Sequence, residues 1–202
     1  MSQINLYYQT HLNTTVTLLP FQQDSEMDDH LLGNLVQKVK SKVIENGIVI
    51  KVHRLIDYDY GIVDKSGLTG DVKYDVKYEC LLCLPVAHLE IICVISNMIK
   101  GIVVAQNGPV IIVIQEINID TNKFTVSPSG SITHDETKKK ITKGDYIKVS
   151  VINTDSNKND TNITAICKLV DIANRDEIKR YNEDQRLISE IESNANESPV
   201  FI

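Results

Sequence analysis

The cysteines are the residues of this chain that could take part in the most kinds of chemistry. There are four, at positions 80, 83, 93 and 167, and Cys80 and Cys83 form one C-x-x-C pair. Structural zinc is almost always held by four ligands, and the sequence has no second pair. Positions i and i+3 of a strand face opposite sides of a sheet, which disfavours both chelation and a disulfide. We interpret the cysteines as small buried hydrophobic residues, with a redox or metal role as the alternative, and predict no cofactor and no metal.

The other residues that could do catalysis form no recognisable pattern. The five histidines are scattered along the chain. The sequence contains no phosphate-binding loop, no G-x-G-x-x-G and no G-x-S-x-G. Glu116 and Asp120 follow a predicted strand, but a lone acid pair in a loop is usually solvated. The sequence therefore predicts a protein without an active site of its own.

A group of basic and aromatic residues in the second half could bind single-stranded nucleic acid. Small barrels bind such strands by stacking bases on aromatic rings and following phosphates with lysines. The candidate residues are Phe124, Lys138, Lys139, Lys140, Lys143, Tyr146 and Lys148. The alternative is a solvated loop, since Asp135 and Glu136 flank the lysines and two aromatic rings make a thin stacking surface.

A glycine-rich loop in the first half is a candidate docking site. Its chemically distinctive residues are Tyr58, Tyr60, Gly61, Ile62, Val63, Gly67 and Gly70. Ile62 and Val63 would be exposed at the end of a small domain, where apolar side chains often mark a site of protein interaction. The alternative is a flexible hairpin end with no partner.

Composition narrows the class of protein. The chain has 202 residues, 42% of them hydrophobic, and a formal net charge of −6. No apolar run reaches the roughly 20 residues that span a bilayer, and the N-terminus lacks the pattern of a signal peptide. No segment is basic enough to bind nucleic acid by charge alone. We expect a soluble intracellular protein.

The pattern of elements predicts an α+β protein. Residues 70–85, G-D-V-K-Y-D-V-K-Y-E-C-L-L-C-L-P, alternate and then become apolar on both faces, which is typical of a strand that enters a covered junction. Strands are predicted at 12–19 and 47–56, with an amphipathic helix at 26–44. Five short strands follow, at 89–96, 101–105, 110–114, 146–152 and 163–170, as in a small closed barrel of the OB type. Residues 173–202 are expected to be a polar tail, partly helical or disordered.

These patterns together resemble the stalk subunit of multisubunit DNA-dependent RNA polymerases, that is, the seventh subunit of RNA polymerase II and the archaeal E subunit. Residues 70–85 are similar to that family's G-x-x-x-F-x-V-K-Y-x-x-x-x-x-x-P. Supporting similarities are V-T-L-L-P at 16–20, G-I-V-I and I-D-Y-D-Y-G-I-V within 47–63, V-I-S-N-M-I-K-G at 94–101, G-P at 108–109 and T-A-I-C at 164–167. The resemblance covers residues 6–172. Ile92-Cys93 and Ile102 depart from it, because the family often has a glycine and an aromatic residue at these places.

The resemblance implies a two-domain, non-catalytic subunit. Residues 1–85 would be a tip domain, an antiparallel sheet plus one helix, that docks on the polymerase through the loop at 57–70. Residues 86–172 would be an S1-type OB barrel near exiting RNA, which Lys100, Tyr146, Lys148 and the lysines at 138–143 would approach. A small helical partner subunit would pack near Val76, Tyr78, Leu82 and Pro85.

The resemblance also implies where the protein acts, and it leaves two alternative functions open. The protein would act at the site of transcription, in a nucleus or, for a large DNA virus, in the virion or a cytoplasmic factory. Enrichment in Ile, Asn and Lys would suit an AT-rich microbe or a large DNA virus that encodes its own polymerase. One alternative is a free-standing S1-type protein that binds single-stranded RNA and dimerises through its N-terminal domain. Another is a purely structural assembly factor.

Overall fold

The structure, a computed structural model, describes residues 5–44, 47–63, 69–99, 101–127 and 130–194, without the side chains of 187 and 190–194. It is mostly β, with a closed five-stranded barrel and two α-helices. The first half contains β1 (Tyr7–Leu18), α1 (Met27–Val39), β2 (Val43–Ile44), β3 (Gly47–Tyr58), β4 (Ile62–Val63) and β5 (Val72–Cys83). The second half contains β6 (Glu90–Ile99), β7 (Ile102–Asn107), β8 (Val110–Gln115), β9 (Phe124–Val126), β10 (Ile132–His134), β11 (Tyr146–Asp155), β12 (Ile163–Ile172) and α2 (Arg175–Asn194).

The N-terminal sheet is organised around β5. The strand order is β1-β5-β3-β2, with β4 also paired to β5. The alternation predicted for β5 is confirmed, because its residues from Val72 to Tyr78 are alternately buried and exposed. The buried face packs against α1 through Leu31, Leu35 and Val39. Each such side chain contributes about 1.5–3 kcal/mol when it is fully buried, so this face holds the sheet and the helix together.

The helix α1 is shorter than the sequence predicts. It ends at Val39 rather than near residue 44, because Lys40 is extended and Ser41 has a φ of 57°. Val43 and Ile44 then pair with β3 as a two-residue strand. These β-branched side chains suit a strand better than a helix end, and the tertiary pairing decides between the two.

The barrel has the five predicted strands in a closed order, β11-β12-β8-β7-β6, with β11 returning to β6. The pairing of β12 with β8 is parallel and the other pairings are antiparallel. This connectivity is that of an OB-type barrel. The long connection before the fourth barrel strand, predicted as a polar loop, contains the β9–β10 hairpin.

One apolar core runs from the barrel into the N-terminal sheet. Leu6, Ile48, Ile50 and Cys83 belong to the same buried cluster as the barrel interior. Shared burial on this scale couples the two parts, since separating them would expose apolar surface. The boundary near residue 85 therefore stays a prediction.

Part of the predicted tail is helical, in line with the helical alternative of that prediction. Residues 175–194 form α2, which contacts both β3 and β6. Ile188 of α2 is buried in the shared core. Asn174 and Glu177 cap the first turn, because each backbone N–H donates to the other side chain at 2.9 Å. The helix is thus packed across the junction between the sheet and the barrel.

Candidate interaction surfaces

The loop predicted to dock presents three large exposed side chains. Tyr60 is 99% exposed, Ile62 68% and Val63 55%. Ile62 and Val63 form β4, whose backbone pairs with Lys73 and Val72 of β5. Gly67 lies outside the described residues. The structure thus holds an exposed apolar pair at the sheet surface, a feature that often marks a site of protein interaction.

The described residues just before this pair are held against the sheet. A Cβ at Gly61 would lie 2.4 Å from Cγ1 of Val72 and 2.6 Å from Cζ of Tyr74, so only glycine fits there. The Tyr58 ring contacts the Tyr74 ring edge-on, with centroids 6.0 Å apart. The Tyr58 hydroxyl donates to Asp28 of α1 at 2.8 Å, and this hydrogen bond raises the pKa of Tyr58. Tyr58 is therefore a support for the loop rather than its contact surface.

The loop before β11 carries the exposed lysines. Lys138, Lys140 and Lys143 are exposed. Lys139 donates to Asp145 Oδ1 at 2.6 Å, so part of its charge is already compensated. Burial opposes ionisation of Asp145, but hydrogen bonds from Lys139 and Thr142 outweigh it and lower the pKa. Lys100 lies outside the described residues.

Phe124 is not available for stacking on a base, which corrects its predicted role. Its side chain is 1% exposed and belongs to the barrel core. It contacts the buried ring of His134 edge-on, with centroids 5.1 Å apart. The β9–β10 hairpin turns this ring inward, so Phe124 is a core residue of the barrel.

Tyr146 and Lys148 are covered by α2. The Tyr146 ring contacts Tyr181 with centroids 5.6 Å apart, and its hydroxyl donates to Asn182 at 3.3 Å. Lys148 Nζ lies 3.0 Å from Glu90 and 3.1 Å from Glu177. Hydrogen bonds to these two carboxylates raise the pKa of Lys148. These contacts with α2 already engage the Tyr146 ring and the Lys148 charge, and both side chains remain partly exposed.

The four residues predicted to contact a partner subunit are all buried within this chain. Val76 and Tyr78 are 1% and 0% exposed and face α1, and Leu82 is 5% exposed. Pro85 is buried at the junction. The correction follows from the alternation of β5, because its apolar face is the one that α1 covers. A partner in this neighbourhood would meet other residues.

A groove lies beside that junction, between the N-terminal sheet, the barrel and α2. Its volume is about 790 Å³. Its lining includes the apolar residues Leu6, Leu81, Val86, Leu89 and Ile92 and, from α2, Arg180, Tyr181 and Gln185. This surface lies next to the predicted position of the partner, but it depends on α2, which the sequence indicated only weakly.

Asn107 connects the elements around this groove, and sequence reasoning missed it. It is 6% exposed, and its Oδ1 accepts from the Tyr7 hydroxyl at 3.0 Å and from Gln185 Nε2 at 2.9 Å. Its Nδ2 donates to Ile92 O at 2.7 Å. The N-G-P sequence at 107–109 indicates a turn, and nothing in that local pattern shows that the asparagine is buried.

The cysteines are buried free thiols, as interpreted from the sequence. Cys80 packs in the core under α1, whereas Cys83 packs in the core shared with the barrel, so the C-x-x-C pair faces opposite sides. Burial raises the pKa of Cys80 to about 11 and that of Cys83 to about 12. Over the described ranges, no three His, Cys, Asp or Glu side chains cluster as a metal site would require. Within the same ranges, neither helix is long and apolar enough to cross a membrane.

These observations define a β-rich protein that carries an OB-type barrel, with an exposed apolar docking candidate and a groove at the junction of its two parts. No protein-family model matches the chain. The chain is 51% identical over 188 residues to an Acanthamoeba polyphaga mimivirus protein named "Putative DNA-directed RNA polymerase subunit L376", covering 93% of this chain and 94% of that protein. The chain belongs to the family of DNA-directed RNA polymerase subunits of large DNA viruses. The predictions of a polymerase subunit and of a viral family are confirmed.

Proposed function

We propose that this subunit is the stalk subunit of its polymerase, a non-catalytic protein that docks through the loop at 57–70 and holds its barrel near exiting RNA. The observation that carries the proposal is the exposed apolar pair Ile62 and Val63 beside Tyr60. In a member of a polymerase family, such a pair needs a partner surface, and the other polymerase subunits supply it.

The support around the loop favours docking over a flexible hairpin end. Gly61 packs against Tyr74, and β4 pairs with β5. A segment that is already paired with a sheet before binding loses less conformational entropy when the complex forms. The pair at Ile62 and Val63 is therefore presented in a fixed geometry, as a docking site requires.

The barrel would approach RNA through charge rather than stacking. Lys138, Lys140 and Lys143 are exposed in one loop, whereas Phe124 is buried and Tyr146 is covered. Without an aromatic platform, the contact depends on phosphate neutralisation, which is weak and salt-dependent. We therefore propose a barrel of the S1 type whose contact with RNA is transient.

The small helical partner subunit would bind at the groove beside Leu81 and Val86. That groove joins both halves of the protein and is largely apolar. An apolar groove with a polar rim is the kind of surface that receives a partner segment. The protein would act where its polymerase transcribes, in the host nucleus or in the virion or cytoplasmic factory.

The docking proposal is tested by Ile62→Asp with Val63→Asp. Both side chains are exposed, so the free energy of unfolding should change by about 0.5 kcal/mol or less per site. A central interface residue is worth about 2 kcal/mol or more, so recovery of the large polymerase subunits on the tagged chain should fall by at least about tenfold.

Ile99→Asp with Ile102→Asp is the matched control, since these side chains are 60% and 39% exposed on the barrel. It should leave recovery of the polymerase unchanged. Equal recovery with both double variants would contradict docking through the loop. Recovery of RNA-binding proteins without polymerase by the unaltered chain would instead favour a free-standing RNA-binding protein.

The RNA contact has its own test, which is made in a chain whose docking loop is unaltered. Replacing Lys138, Lys140 and Lys143 with Gln should reduce ultraviolet cross-linking of the subunit to nascent RNA in the assembled polymerase. The reduction should be larger at low salt, because screening already weakens phosphate contacts at high salt. Unchanged cross-linking at low salt would remove RNA contact by this loop from the proposal.

A further inference from the structure

The outer edge of β1 has no partner strand in the part of the chain that the structure describes. β1 is the first strand in the sheet order and pairs with β5 alone. Leu84 N donates to Leu6 O at 3.0 Å, so the even-numbered residues of β1 share hydrogen bonds with β5. The odd-numbered residues therefore direct their backbone N–H and C=O groups outward, away from the sheet.

One end of this edge is closed by α1 and the other is open. Asn34 Nδ2 donates to Thr17 O at 3.0 Å, and Lys38 Nζ donates to Thr15 O. The outward backbone groups from Tyr7 to Asn13 bond to none of the described residues. The open stretch is thus long enough to pair with about six or seven residues of another strand.

The usual devices that block an edge strand are missing here. The residues from Tyr7 to Leu18 include no Lys, Arg, Asp, Glu or Pro. The register of β1 with β5 shows no bulge, in contrast to the three irregularities between β3 and β5. A long, regular and uncharged edge is a template for pairing with another chain. Proteins that keep such an edge often use it to bind an extended segment.

The surroundings of the edge determine what fits it. Leu6, Tyr7 and Gln9 line the junction groove, together with Leu81 and Val86. An added strand would lie against this groove, and side chains on that face would enter it.

A second copy of β1 would bring Tyr7, Gln9, His11 and Asn13 to that face, because directly opposed residues of an antiparallel pair share a side of the sheet. Three of these four side chains are polar, so they would leave the apolar part of the groove, beside Leu81 and Val86, largely unfilled. A different segment, with apolar residues on that face, would fill it.

We propose that β1 binds, by β-strand addition from Tyr7 to Asn13, an extended segment of another polymerase subunit whose apolar side chains enter the junction groove. The inference rests on the proposed function and adds to it, because it names the backbone edge that receives the partner.

Amide hydrogen exchange tests the pairing directly. The full-length chain is compared alone and in the polymerase assembly purified on it, with single-residue resolution from fragmentation. The outward amides of Gln9, His11 and Asn13 should exchange rapidly in the free chain and at least about tenfold more slowly in the assembly. The amides of Thr10 and Leu12, which bond to β5, should be protected in both states.

Proline variants give a second readout. Gln9→Pro with His11→Pro removes two outward N–H groups and keeps the bonds to β5, so the chain should fold. Docking through Ile62 and Val63 should still recover the large subunits, while recovery of one other subunit falls by about tenfold. Thr10→Pro is the matched control, because it breaks a bond to β5 and should lower the melting temperature instead.

The outcomes separate this inference from the proposed function. If the assembly forms but Gln9, His11 and Asn13 exchange as in the free chain, the inference is overturned and the function stands. If these amides become protected in the isolated chain as its concentration rises, a second copy occupies the edge and the inference is overturned. If the unaltered chain recovers no polymerase subunit, the proposed function fails and the inference fails with it.

Discussion

Asn107 should contribute more to stability than any other polar residue near the junction. It joins three elements, since it accepts hydrogen bonds from Tyr7 of β1 and Gln185 of α2 and donates one to Ile92 of β6. The neighbouring residue, Gly108, is also packed closely against Tyr7, because a Cβ at position 108 would lie 2.3 Å from the Tyr7 hydroxyl. The Asn107→Ala change therefore removes three hydrogen bonds that join these elements and leaves their polar partners unpaired beside the groove.

The magnitude follows from the three bonds. Each is worth about 0.5–1.5 kcal/mol net, so Asn107→Ala should lower the free energy of unfolding by about 1.5–4.5 kcal/mol. For a chain of this size, each kcal/mol moves the melting temperature by about 2–4 °C. Tyr7→Phe removes one of the three bonds and should cost about 1 kcal/mol. Urea denaturation followed by circular dichroism measures both.

The control is Asn153→Ala, an exposed asparagine on β11. It should change the free energy of unfolding by about 0.5 kcal/mol or less. In the double variant, Tyr7→Phe should cost almost nothing once Asn107 is absent, because the shared bond is already lost. Equal losses for Asn107→Ala and Asn153→Ala, or additive losses in the double variant, would refute the reasoning.

Three further changes test other parts of the structure. Gly61→Ala should shift the docking loop, because the new Cβ would lie 2.6 Å from Tyr74, and recovery of polymerase should fall. Its control is Gly33→Ala in α1, where a Cβ meets nothing within 4 Å, and this change should leave recovery unaffected. Phe124→Ala should cost about 3–5 kcal/mol in urea denaturation, and a cost near zero would contradict its burial. Burial raises the pKa of Cys83 from 9.0 to about 12. As pH rises from 9 to 12, the Cys83 thiol ionises in the unfolded chain before it does in the folded chain, so its contribution to stability is lost over this range. Thiol alkylation at pH 9 should then be at least about a hundredfold slower for native than for unfolded chain, and equal rates would contradict the burial of Cys83.

Much of the sheet and barrel could be predicted from local patterns. The alternation from Val72 to Tyr78 specifies both the strand and the face that is buried. The five barrel strands were predicted because apolar, β-branched runs between turns mark strands in any context. The exposed pair Ile62 and Val63 was also predictable, since glycines on both sides indicate a turn and leave two apolar side chains without a core.

The partner and RNA residues could not be predicted in the same way. In the sequence, Phe124 is one aromatic residue in a polar stretch. The pairing of β9 with β10 is what directs its side chain into the barrel core. Val76 and Tyr78 were placed near a partner because of a shared motif, while α1 already occupies their face. A motif identifies a strand, but not which surface of it remains exposed after packing.

The sequence by itself determined the periodicity of the strands and the absence of a recognisable catalytic motif. The tertiary structure decided that α2 packs across the junction, that Asn107 is buried beneath it and that Glu177 and Tyr181 cover Lys148 and Tyr146. It also decided that β1 lies at an edge of the sheet that no other described strand covers. The physical reason is that period and turn chemistry are local properties of a chain. Burial, ion pairing and strand order depend on residues up to 100 positions apart, as with the hydrogen bond between Tyr7 and Asn107.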